Sequence, residues 1–181
     1  MIVITGAPRT GTSMIMQTLK TLGVEVVGEK FSDVNMPENN PYGYYELPIA
    51  EITEGIQDLR YKGKAVKLFA QGLGKTKVDA IDKVIHCKRK VKESALSFMK
   101  VLKATPIGIK PTINNSKQIV KHNALFAETF AKHTKKPVFN VDFENFKSNK
   151  IEEIEKLCSF LGIEATAAQK SEAIKNIKDG K

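Results

Sequence analysis

Gly6-Ala7-Pro8-Arg9-Thr10-Gly11-Thr12-Ser13 sets a glycine, four residues, a second glycine and two hydroxyl residues directly after a short β-branched run. Ile15, Leu19 and Leu22 then recur at helical spacing until Gly23. Between a strand and a helix, loop N–H groups and the helix N-terminus cradle a phosphate or a similar anion. The spacing is that of a Walker A loop with one consequential change: the lysine that reaches the β/γ-phosphates is Thr12. Arg9 returns a cation to the loop, and its planar fork matches a set of anionic oxygens better than a lysine point charge does. An ordinary turn needs neither Arg9 nor the hydroxyls of Thr10, Thr12 and Ser13. The loop is therefore read as an anion site, with Pro8, Arg9, Thr10, Gly11, Thr12 and Ser13 as its binding residues.

A reaction at that anion needs a group to move a proton. His122 and His133 are eleven apart on one expected helix, about 16 Å along its axis at 1.5 Å per residue, so they share neither a metal nor a proton. His86 lies in the strand leading to Arg89, where a core imidazole bonded to backbone competes with a base. Glu46 ends a long polar loop and starts a helix, which sets its carboxylate over the phosphate loop; the plainer alternative is a helix-start acid. Lys67 is costly to bury inside residues 66–69, so its ammonium is expected at the strand's end against an anion, the alternative being an edge lysine facing water. Arg9, Glu46, Lys67 and His86 are thus the candidate catalytic residues.

The elements that must position these groups alternate. Residues 1–5 form a strand, 24–27 a second short one, and 28–45 a long loop rich in Pro, Gly, Asn and Tyr. Ile49, Ile52, Ile56 and Leu59 predict a helix, 65–69 a buried strand and 83–87 another. Helices are predicted over 93–102 and over 116–132, the latter with Ile119, Phe126 and Phe130 on one side, with a connection over 105–111 between them. Residues 137–141 read as the last strand, and Ile151, Ile154, Leu157 and Leu161 line a helix closed by Gly162. Strands alternating with helices imply an α/β domain: a three-layer, P-loop-type architecture with a central parallel sheet flanked by helices, spanning residues 1–181 as one unit.

Composition excludes more than it assigns. With 41% hydrophobic and 27% charged residues the 181-residue chain is expected to fold without disulfide or metal, and Cys87 and Cys158 read as reduced core thiols. No apolar run approaches the roughly 20 residues of a membrane span and no basic leader opens the chain, so a cytoplasmic protein is expected. The net charge of +9 favours an anionic partner. Its lysines are scattered and Trp is absent, which argues against a specific nucleic-acid surface.

Pro8-Arg9-Thr10-Gly11-Thr12-Ser13 resembles the loop by which sulfotransferases hold the 5′-phosphosulfate of 3′-phosphoadenosine 5′-phosphosulfate (PAPS). Arg89 and Ser97, eight residues apart at a strand end and on the following helix, match the family's second signature, which binds the 3′-phosphate. Residues 138–146, the helix ending Phe160-Leu161-Gly162, and Asn40-Pro41-Tyr42-Gly43-Tyr44-Tyr45-Glu46 are similar to further family segments, the last to small bacterial sulfotransferase-like proteins. The chain is shorter than the cytosolic enzymes. The family's Lys-Thr-His, which supplies its base, corresponds to Lys67-Leu68-Phe69, without the histidine.

The resemblance implies a PAPS-dependent sulfotransferase: donor PAPS, product 3′,5′-phosphoadenosine phosphate (PAP), no metal, and a small-molecule or saccharide acceptor with a hydroxyl or amine. Two other classes stay open, a P-loop nucleotide or small-molecule kinase and a non-catalytic phosphoadenylate binder. Magnesium dependence separates the first from the rest, and turnover separates enzyme from binder.

Overall fold

The computed structural model describes residues 1–31, 40–104 and 111–177. Four strands form one all-parallel sheet in the order β2-β1-β3-β4: β1 is Ile2–Gly6, β2 Ala65–Lys67, β3 Lys83–Lys88 and β4 Val138–Asp142. Val3 lies opposite Val66 on one side and Val84 on the other, and Ile85 opposite Phe139. Every residue of β1 is buried, as a parallel strand covered on both faces requires.

Helices cover both faces. On one, Ile4, Ile85 and Val141 meet Leu19 of α1 (Thr12–Thr21), Leu157 of α7 (Lys150–Leu161) and Ala173 of α8 (Ala167–Asn176). On the other, Val3, Val66 and Val84 meet Leu73 of α3 (Ala70–Lys75) and Phe126 and Phe130 of α5 (Ile113–His133). α4 (Val91–Ala104) packs on α5 through Ala95 and Val120. The remaining helices are α2 (Ile49–Glu54) and α6 (Phe143–Ser148).

Several sequence readings change. Residues 24–27 form no strand: Ala65 bonds Glu25 and Val27 on its outer edge, Val26 makes one parallel bridge, and Gly28 at φ 109° turns the chain away. The helix expected through Leu59 stops at Gly55 (φ 72°); Ile56 drops into the core and Leu59 is exposed. Ile119 is exposed because the buried stripe of α5 runs through Ser116, Val120 and Ala127, one position round the helix. Ile151 is exposed too, while Ile154, Leu157 and Leu161 are buried. Residues 32–39 of the loop expected over 28–45 and residues 105–110 of the connection over 105–111 lie outside the described residues. No helix among the described residues is long and apolar enough to cross a membrane.

Candidate active site

The sheet order creates the site. The chain leaves β1 toward β2 on one side and leaves β3 toward β4 on the other, so the crevice beyond the C-terminal ends of β1 and β3 is a topological switch point, where open α/β sheets bind ligands. The loop after β1 is the glycine-rich segment expected to be an anion site, and the residue after β3 is Arg89.

Within the loop Thr10 Oγ1 donates to the Ala7 carbonyl at 2.8 Å, and Arg9 sits at φ 68°, a left-handed conformation that costs a non-glycine residue roughly 1 to 3 kcal/mol. Gly11 (φ 98°) must be glycine for a second reason, since a Cβ there would lie 2.6 Å from Cδ2 of Phe143. α1 opens with no side-chain cap and no acid in its first turn, so its N-terminal amides face the cleft as an anion site needs.

Arg9 Nε donates to Ser97 Oγ at 3.1 Å, and its guanidinium acts on the buried phenol of Tyr44. Burial pushes the Tyr44 hydroxyl above its usual range, and Arg9 partly offsets this. Arg89 packs its guanidinium 4.1 Å from the Phe143 ring centroid. Its Nε donates to Glu144 Oε1 at 3.0 Å with Glu93 Oε2 at 3.8 Å, and Nη1 donates to the Arg9 carbonyl at 3.5 Å. Arg9, Arg89 and Ser97, distant in sequence, therefore meet on one cleft of about 970 Å³, near the top of the range of about 300 to 1,000 Å³ for small-molecule sites.

At the inner end Lys67 is fully buried, not water-facing. Its Nζ donates to Glu46 Oε1 at 2.8 Å and to Ser13 Oγ at 3.1 Å, between the rings of Tyr44 and Phe69. Burial lowers its pKa, the Glu46 carboxylate pulls it back, and Arg9 lowers it further. Glu46 does not start a helix, because α2 begins three residues later. It is held by a two-way backbone bridge to Glu29, with Tyr45 at φ 53° between the cleft-lining Tyr44 and Glu46. Gln17 of α1 fastens this segment by donating to the Gly43 carbonyl at 2.6 Å.

His86 stands apart. It shares a sheet face with Thr5 and Asn140 in mid-strand, does not line the cleft, and its Nδ1 is buried without a hydrogen-bond partner; burial first, then Lys88, pushes its pKa down, and Asn140 partly offsets this. Burial also pushes the Cys87 thiol up to about 12, leaving it unreactive. Phe143, Glu144 and Lys147 of α6 were not among the sequence candidates. Only the family-like segment 138–146 pointed toward the first two.

A sulfotransferase domain model matches residues 1–179. The chain belongs to the sulfotransferase family. Its fold matches a mouse sulfotransferase, SULT7A1, complexed with PAP, at 14% identity and a TM-score of 0.67, over 98% of this chain and 63% of that one. It also matches a retinol dehydratase in complex with androsterone and the inactive cofactor PAP, at 12% identity and a TM-score of 0.58, over 98% and 64%. The chain spans just under two thirds of the length of each sulfotransferase-fold neighbour. No curated protein matches it by sequence.

Proposed function

We propose that this chain transfers a sulfuryl group from PAPS to a small-molecule hydroxyl or amine acceptor. The observation that carries the reading is the convergence of Arg9, Arg89 and Ser97 on a phosphate loop that lacks the Walker lysine. The uncapped start of α1 and the fork of Arg9 fit a 5′-phosphosulfate; Arg89 and Ser97 fit a 3′-phosphate.

When bound, the donor supplies an electrophilic sulfur and a phosphate leaving group. The acceptor oxygen or nitrogen forms the new bond to sulfur as the bond from sulfur to the bridging phosphate oxygen breaks, and the acceptor's proton goes to Glu46. Arg9 and the loop amides are preorganised where charge collects on the leaving phosphate. Lys67 orients the Glu46 carboxylate and ties it to the loop through Ser13. The chemistry asks for no metal.

The test is transfer of labelled sulfate from PAPS to a panel of phenols, alcohols and saccharides. Turnover in excess EDTA that Arg9→Ala abolishes and Arg9→Lys partly keeps is the expected result. Phosphoryl transfer from ATP with magnesium, and none of sulfate, would replace the reading with a kinase.

A further inference from the structure

We infer that Lys147 is a donor-binding cation that shares the 3′-phosphate with Arg89, an inference that rests on the donor reading above. Of the chain's 26 lysines, Lys147 is the one that lines the cleft among the described residues. It stands one turn beyond Phe143 on α6, with its ammonium 5.4 Å from the centroid of the ring that the Arg89 guanidinium packs on at 4.1 Å. The same ring lies against Gly11 of the phosphate loop. One aromatic side chain thus anchors two cations beside the loop.

Charge balance favours a second cation in the cleft. Arg89 is already engaged by two carboxylates, Glu144 and Glu93, and Arg9 is bonded to Ser97. A phosphate monoester brings a further −1.5 to −2 charges, roughly, at neutral pH. Glu144 and Glu93 offset the charge of Arg89 before any phosphate arrives. Lys147 has no carboxylate partner among the described residues, and its flexible stem lets the ammonium swing from the ring to a phosphate oxygen.

The experiment is calorimetric titration of the full chain with PAP and with AMP, which lacks the 3′-phosphate, at fixed salt. It is run on the parent, Lys147→Gln and Lys147→Arg, with melting temperatures alongside. The expected result is a parent that prefers PAP, a Lys147→Gln variant that loses about tenfold or more in PAP affinity while AMP affinity stays within about twofold, and a Lys147→Arg variant that keeps most of the preference. A parent-like PAP-to-AMP ratio in Lys147→Gln would overturn the inference and leave the donor reading standing. So would an equal loss for both nucleotides. A parent that binds PAP and AMP equally would overturn both.

Discussion

Glu46→Gln and Lys67→Met remove the two halves of one ion pair, and their effects should be unequal. At 2.8 Å and an effective dielectric of about 20, the gross attraction of the pair is about 6 kcal/mol. Stripping water from the wholly buried Lys67 ammonium costs several kcal/mol, while Glu46, with 23% of its side chain exposed, keeps part of its hydration. Lys67→Met deletes the attraction and the larger penalty together, so unfolding free energy should move by only about 1 kcal/mol. Glu46→Gln leaves the ammonium buried with a neutral partner, and should cost about 2 to 4 kcal/mol, near the value for breaking a buried pair. That cost should shrink at alkaline pH. Lys67's folded pKa lies below its ordinary 10.5, so the folded state sheds the proton first, and the penalty, complete below the folded pKa, is relieved as pH rises toward 10.5. Urea unfolding at pH 7 and pH 9.5 reads the stabilities, and turnover beside PAP affinity reads the chemistry. Glu46→Gln should lower kcat by roughly 10² to 10⁴ with donor affinity nearly unchanged. Equal stability losses in the two variants, or parent-like kcat in Glu46→Gln, would refute the reasoning.

Gly11→Ala should cost the fold about 1 to 2 kcal/mol for its left-handed φ, and because its Cβ meets Phe143 it should also weaken PAP binding, measurable by thermal melts with and without nucleotide. His86→Asn should leave kcat at the parent value, because the imidazole does not line the cleft. With its folded pKa below 6.5, His86 contributes stability that is present above pH 6.5 and lost as pH falls through the folded value, so the variant should show a shallower acid loss in urea titrations from pH 7.5 to 5. A large fall in kcat would return His86 to the list of bases.

The phosphate loop and the alternation of strands and helices were legible because both depend on local spacing. The pairing of Lys67 with Glu46 was only half legible. The expense of burying a lysine indicated an anion at the strand's end, but which carboxylate supplies it depends on the bridge from Glu46 to Glu29 and on the left-handed Tyr45. α8 was not among the expected elements, although the Thr166 and Gln169 pair of its capping box is a local signal for its start. α6 carried no separate signal: Asp142 ends β4 and caps α6 at once, so no loop residue marks the change of period. That compression hid Phe143, Glu144 and Lys147, and with them the surroundings of Arg89.

On the proposed reading the cleft recognises a nucleotide with a 3′-phosphate. That recognition is tested most directly by the melting temperature of the chain with PAP, with AMP, and with ATP plus magnesium, each at the same concentration. A ligand at a hundred times its dissociation constant stabilises by about 2.7 kcal/mol, or about 5 to 11 °C for a domain of this size. PAP should give a shift of that order at concentrations where AMP gives much less and ATP with magnesium least. A shift from ATP with magnesium exceeding that from PAP, or equal shifts from PAP and AMP, would contradict the account.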